Sequence, residues 1–306
     1  MSTYKCVVWG TALDYEMYFN ALKYQELLGY IEVVGVTSNQ PIYERLDGYR
    51  FISRNHLVDI EFDLLIIASV EKFSEIRQEA ASLGIEAEKI MSIKVFALPE
   101  FHIDKYKTLK HSDVTIFSNN CWGGITYNRL GLEFLSPFIN MFVSATDYLK
   151  IMNAPKQYLS HDLILSRYNY EPSLMRDYPV CYLDDAELHF NHYGSLDEAV
   201  AKWNSRRIKI NWDNLFVMMC TIDPKEAEMF VELPYRNKVC FVPFESSEPS
   251  LMSIPYNRID ESRSVPFWAI VNGLALGIYK YYDVLDLLHG NLNHKRVELR
   301  HQKVLP

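Results

Sequence analysis

The sequence predicts an α/β protein built from two successive domains. Three observations carry that expectation. At 306 residues the chain is long enough for two ordinary cores. Its first hundred residues alternate β-branched apolar runs with segments of helical spacing, and the same alternation resumes at Val114 after a polar lapse. With 49% hydrophobic and 23% charged residues, the composition is that of a folded globule.

The elements follow in order. Lys5 to Trp9 is an apolar run ending at Gly10. Asp14 to Leu28 places Tyr15, Tyr18, Phe19, Leu22 and Leu27 near one helical face. Ile31 to Thr37 and Phe62 to Ser69 are further strands. A helix from Glu71 to Leu83 stops at Gly84, and a short strand follows near Ile90. Strands alternating with helices imply a parallel sheet covered on both faces, so residues 1–98 read as a small Rossmann-like domain. Leu98 to Ser112 reads as a linker, and residues 113–306 as a second α/β domain. Ser195-Leu196-Asp197-Glu198 is a capping box that starts a helix running to Arg207. Val180 to Leu183, Leu215 to Met219 and Val239 to Val242 are strand candidates. Glu245 to Val265, rich in Ser, Pro and Glu, reads as an irregular surface loop. Phe267 to Tyr279 reads as a buried helix begun after Pro266, too short to span a bilayer.

Composition also bounds the partners. A net charge of −8 argues against nucleic acid, whose phosphates demand a basic surface. Five cysteines without a CxxC pair suggest neither a disulfide framework nor a zinc ribbon. With no signal-peptide pattern at the start, the expected location is the cytoplasm, with no membrane span. The 21 Tyr and 16 Phe fit a Tyr-rich core or a sugar-binding surface. Whether the chain forms a homo-oligomer stays open.

Four segments carry candidate chemistry. Ser118-Asn119-Asn120-Cys121-Trp122-Gly123-Gly124 ends an apolar strand and enters a helix, a geometry that presents backbone N–H groups to phosphate or carboxylate. Within it, Cys121 near a helix start is a candidate nucleophile with a lowered pKa. The strand end Gly10-Thr11 stands where a cofactor phosphate would sit. It lacks the other two glycines of a dinucleotide fingerprint, so a looser nucleotide or a purely structural unit fits better than NAD.

The third segment runs from Tyr182 to His192. As a strand it puts Asp185, Glu187 and His189 on one face; as a helix it groups Asp185, His189 and His192. Either arrangement gathers groups for acid–base work, and Asp185, Glu187 and His189 could ligate a divalent metal. An apolar strand running into such acids is similar to the metal-holding motif of nucleotide-sugar glycosyltransferases, where the metal neutralises a diphosphate leaving group. Fourth, Arg206 and Arg207 either complement a helix dipole or hold a substrate diphosphate.

Taken together, Ser118 to Gly124, Ser136-Pro137, Asp147-Tyr148, Glu187-Leu188-His189-Phe190-x-His192-Tyr193, Lys202-Trp203-x-x-Arg206-Arg207 and Asn211-x-Asp213-Asn214-Leu215-Phe216 carry a likeness. Over residues 113–244 the chain resembles an uncharacterised bacterial family, a domain of unknown function loosely named exopolysaccharide biosynthesis protein. The opening Val7-Val8-Trp9-Gly10-Thr11 resembles the nucleotide-binding unit at the front of some sugar-modifying transferases. The resemblance implies a setting in surface polysaccharide assembly and assigns no catalytic residue.

The leading expectation is a transferase acting on an activated sugar or glycan precursor, with a nucleotide-sugar as donor and Mn or Mg as a candidate cofactor. Asp185, Glu187, His189 and His192 would supply metal binding or acid–base function, Arg206 and Arg207 the diphosphate contacts. The Ser118 to Gly124 loop would contact donor or acceptor. The alternative is a non-catalytic scaffold or binding protein of polysaccharide assembly. A third reading is acyl transfer or hydrolysis through Cys121, with His189 or His192 as its base.

Overall fold

A computed structural model of the chain describes residues 3–39, 44–98, 101–256, 265–275 and 282–292. The chain divides into two compact units, Met1–Tyr106 and Lys107–Pro306. Both are α/β, with parallel sheets and packed helices.

The first unit is built on strands β1 (Tyr4–Trp9), β2 (Ile31–Thr37), β5 (Leu64–Ile67) and β6 (Ile90–Ser92), parallel in the order β2-β1-β5-β6. A two-strand ribbon, β3 (Arg45–Leu46) and β4 (Tyr49–Arg50), is set between β2 and β5 in the chain. β5 is apolar and buried throughout, as a strand covered on both faces must be. Helix α1 (Leu13–Leu27) buries Tyr15, Leu22 and Gln25. Gln25 replaces the expected Leu27, which is 83% exposed. The Gln25 amide reaches the carbonyls of Phe96 and Leu98 at 3.1 and 3.0 Å, and so fastens the 3-10 turn Ile93–Ala97 to α1. Helix α2 (Phe73–Ser82) ends before Gly84, whose φ of 84° only glycine adopts without strain.

The expected linker carries a helix, α3 (Ile103–Lys110), which buries Ile103, Tyr106 and Leu109. The three- and six-residue spacing of those apolar positions is a helical stripe, hidden in the sequence by the Asp, Lys and Thr residues between them.

The second unit holds two four-stranded sheets. The parallel one has the order β14-β13-β12-β7, from β7 (Thr115–Ser118), β12 (Leu215–Cys220), β13 (Lys238–Val242) and β14 (Leu251–Ser253). β14 lies inside the segment expected to be an irregular loop, and its short Leu-Met-Ser run pairs with β13. The antiparallel sheet has the order β8-β11-β10-β9, from β8 (Phe142–Val143), β9 (Ile164–Glu171), β10 (Arg176–Leu183) and β11 (Ala186–His189). Helices α4 (Trp122–Leu130), α5 (Ala145–Asn153), α6 (Pro155–Tyr158), α7 (Leu196–Arg207) and α8 (Pro224–Val231) complete the frame. The helix Phe267–Ala275 starts after Pro266 as expected; Leu276 to Tyr279 lie outside the described residues. No described helix is long and apolar enough to cross a membrane.

α7 begins at its capping box. The Ser195 hydroxyl accepts the Glu198 N–H at 3.1 Å, while the Glu198 carboxylate accepts the Gly194 N–H at 2.9 Å. One hydrophobic core joins both sheets of this unit. Cys181, Leu183, Ala186, Leu188 and Phe190 enter it from the antiparallel sheet, and Phe117, Val217, Met219, Cys240 and Val242 from the parallel one.

Candidate functional site

The alternation that sends Ala186, Leu188 and Phe190 into the core sends Glu187 and His189 to the opposite face of the antiparallel sheet. Register brings partners to them. Tyr182 stands opposite Glu187, Val180 lies between His189 and Arg167 on the neighbouring strands, and Phe142 stands opposite His189. Arg167 clasps Glu187 with two parallel bonds, Nη1 to Oε2 at 2.5 Å and Nη2 to Oε1 at 2.7 Å. Glu187 Oε1 lies 2.9 Å from His189 Nε2, and His189 Nδ1 lies 3.4 Å from the Tyr178 hydroxyl. The Phe142 ring meets the imidazole edge to face at 5.7 Å.

The electrostatics follow from these contacts. Arg167 holds the Glu187 carboxyl below its ordinary range. Burial pushes the His189 imidazole below 6.5, against the upward pull of Glu187 and with the help of Arg167. At neutral pH His189 is therefore the uncharged form. Ionised Glu187 only accepts, so Nε2 carries the proton and Nδ1 presents a lone pair to the Tyr178 O–H. The result is a proton path from a tyrosine hydroxyl to an imidazole oriented by a carboxylate. Removing the guanidinium should raise the His189 pKa, and neutralising Glu187 should lower it. Histidine-resolved NMR titration of Arg167→Ala and Glu187→Gln checks both signs; a shift in the same direction for both variants contradicts the arrangement.

Depressed histidines also set an acid limit on stability. His192 follows β11 at an exposed position, where partial desolvation still lowers its pKa, with Arg176 pushing the same way and Glu171 opposing. A histidine whose folded pKa lies below its unfolded one stabilises the fold fully above about pH 6.5, and that contribution is lost as pH falls through the folded pKa. Melting temperature is expected to decline from pH 7 to pH 5, and less steeply in His189→Gln.

Other expected site residues are placed differently. Asp185 is not on the strand. It sits in the two-residue turn Asp184–Asp185 between β10 and β11, with Asp184 at φ 56°, and is exposed. Its carboxylate accepts the Tyr158 hydroxyl at 2.7 Å and pairs with Lys150 at 3.4 Å. Asp185, Glu187 and His189 thus do not converge as metal ligands: each carboxylate has its own cationic or hydroxyl partner. Among the described residues no three His, Cys, Asp or Glu side chains are grouped to hold a metal.

The Ser118 to Gly124 loop does end β7 and start α4, and two of its N–H groups are taken by the chain itself. Ser118 Oγ accepts the Gly123 N–H at 3.2 Å and Asn120 Oδ1 accepts the Trp122 N–H at 3.0 Å. The Asn119 amide bonds both the carbonyl and the N–H of Cys220, at 3.1 and 3.0 Å. Trp122 is buried, with its indole N–H donated to Tyr282 at 2.8 Å. The glycines serve packing: a Cβ on Gly123 would lie 2.5 Å from Ser118 Oγ, and one on Gly124 2.9 Å from Asn140 Oδ1. Through Asn119 the loop fastens β7 to β12. Burial raises the Cys121 thiol to about 11, opposite in direction to the lowering expected of a thiol at a helix start.

Arg206 and Arg207 do not act as a pair, because consecutive helical residues diverge by about 100°. Arg206 donates to the Tyr193 hydroxyl at 2.8 Å and lies over the Phe134 ring. Arg207 bonds the His161 carbonyl at 2.8 Å and Asp162 at 3.1 Å. In the first unit, Gly10 adopts φ 118°, and a Cβ there would stand 2.7 Å from the Ala68 carbonyl oxygen. The chain's own backbone explains that glycine; Thr11 beside it is half-buried.

Sequence reasoning missed Arg167 and Tyr178, since only strand pairing brings them to Glu187 and His189.

Residues 92–289 match the family model described as "Domain of unknown function (DUF1919)", and residues 2–91 match the model described as "C2185-like, N-terminal". An uncharacterized protein of Haemophilus influenzae is 32% identical over 190 residues, which cover 59% of this chain and 84% of that protein. The first of these matches takes in the whole array from Phe142 to His192 and well over half of the chain, which therefore belongs to the DUF1919 family, a domain of unknown function.

Proposed function

We propose that this protein is a transferase acting on an activated sugar or glycan precursor in bacterial surface (exopolysaccharide) biosynthesis, working in the cytoplasm. The observation that carries the reading is the linked series Arg167–Glu187–His189–Tyr178 on an outward sheet face. Transfer to a sugar hydroxyl needs a base that removes its proton as the new bond forms. His189, kept neutral by burial and oriented by Glu187, is such a base, and Tyr178 is the hydroxyl through which the proton reaches Nδ1. Arg167 keeps Glu187 ionised. The likeness of the motifs to exopolysaccharide biosynthesis proteins supports the substrate class. In this reading the first unit is Rossmann-like and Gly10-Thr11 is the place for a nucleotide phosphate. Any Mn or Mg would come with the nucleotide-sugar rather than on Asp185, Glu187 and His189.

The test is nucleotide release from a panel of nucleotide-sugars, each with and without Mn²⁺ or Mg²⁺, paired with melting curves. Glu187→Gln and His189→Asn are each expected to lower kcat/KM by about 10²- to 10⁴-fold at unchanged KM. Unaltered turnover in both variants removes the assignment.

A scaffold reading rests on a different observation. β9 is an edge strand, and Ile164, Leu165, Tyr168 and Tyr170 are all exposed on it. Such an edge can pair with a partner strand, including a second copy in a homo-oligomer. Activity lost in Glu187→Gln with assembly intact favours the transferase.

A further inference from the structure

In open α/β sheets ligands usually lie beyond the carboxyl ends of the strands. Here that end of the parallel sheet is filled by the chain's own bonds. Asn119 closes on Cys220, Thr221 on Glu226, Glu226 on Thr146 at 2.9 Å, and Trp122 on Tyr282. The opposite end is open. Where the chain enters β12 and β13, a cavity of about 680 Å³ lies against the α5–α6 corner. That volume is within the range of small-molecule sites.

We infer that this cavity binds an anionic saccharide, a sugar ring bearing a phosphate or a carboxylate. Its lining has the three parts such a ligand needs. Trp212 and Tyr235 offer aromatic surface to the apolar C–H face of a sugar ring. The Tyr235 ring is fixed by its hydroxyl, which donates to the Met152 carbonyl at 2.6 Å and is pushed up to about 12 by burial, so it stays protonated. The Gln157 amide can both donate and accept, and the Asn153 amide, whose Nδ2 already donates to the Leu149 carbonyl at 2.8 Å, turns an oxygen acceptor to sugar hydroxyls. Lys156 and Arg236 supply two cations against a single lining acid, Asp213. Lys156 Nζ stands 5.3 Å from the Trp212 ring centroid, so charge and aromatic surface adjoin. An ammonium and a guanidinium in one polar cavity suit a phosphate or carboxylate.

The site is separate from the acid–base array. α6 carries Lys156 and Gln157 at the cavity and, next in the chain, Tyr158 on Asp185. Binding here does not depend on whether the array transfers sugars, so the inference and the transferase reading fail independently.

Titration calorimetry on the full chain tests it, with glucose 1-phosphate, glucuronate, glucose, inorganic phosphate and UMP as probes. Either acidic sugar is expected to bind at least about tenfold more tightly than glucose or inorganic phosphate, a difference of about 1.4 kcal/mol. Lys156→Ala and Arg236→Ala, both at exposed positions, should each weaken that binding by about tenfold or more with melting temperature unchanged. Loss with glucose 1-phosphate alone identifies the phosphate as the anion, and loss with glucuronate alone the carboxylate. Absence of binding by both acidic sugars overturns the inference. Equal binding of inorganic phosphate, tighter binding of UMP, or affinity indifferent to both substitutions does so too.

Discussion

Trp203→Ala is expected to lower the stability of the second unit by about 3–5 kcal/mol, the largest loss of any single truncation considered for this chain. Trp203 is 1% exposed, and its indole is met edge-on by Phe138 at 5.5 Å and Phe190 at 6.1 Å. Replacing it with a methyl group leaves a void that two aromatic rings, held from different elements, cannot close. Its indole N–H is buried without a protein acceptor. Trp203→Phe removes that unmet donor along with part of the volume, so it should cost roughly half as much or less. Phe190 follows His189 directly, which makes this core the backing of the acid–base array. Chemical denaturation of the two variants checks the order; equal costs would mean that the site collapses around the smaller side chain.

Asn119→Ala is expected to cost about 2–5 kcal/mol without altering ligand affinity, because the side chain holds backbone rather than a ligand. It is 2% exposed and satisfies both polar groups of Cys220, and its loss leaves a buried N–H and a buried carbonyl unpaired. Asn119→Asp should be at least as damaging. A carboxylate can accept from the Cys220 N–H but would face the Cys220 carbonyl with no proton to donate, and it would bury a charge. Denaturation midpoints decide this against the anion-cradle reading, in which both variants would fold normally and lose phosphate or carboxylate binding instead.

Local features of this chain were readable in its sequence. The Ser195 cap, the helix it begins and the parallel strands near Val7, Ile66, Phe117, Met218 and Phe241 each follow from a few neighbouring residues. So does the pairing of Glu187 with His189, since alternation along a strand is a local rule. What could not be read depends on partners distant in the chain. Asn119 and Cys220 are 101 residues apart, and that bond makes the loop a fastener between two strands. Arg167 reaches Glu187 only through the register of β9 and β10. Asp185 left the cluster because the turn between β10 and β11 begins at Asp184. The Arg206–Arg207 pair was separable beforehand, since helical geometry alone sends adjacent side chains apart. The cavity at Trp212 and Tyr235 has no motif at all: its walls come from a helix corner and two strand entries.

The insertion of the antiparallel sheet between β7 and β12 bears on how the second unit forms. Hairpins β9–β10 and β10–β11 close over short turns, whereas β7 must wait for a strand about a hundred residues later in the chain. Loop closure over that distance is entropically costly and slow compared with hairpin formation. The face bearing Glu187 and His189 can therefore assemble on a nascent chain while the parallel sheet is still open. The cavity at the strand entries appears only after β12 and β13 have docked, so its ligand would recognise the finished fold alone.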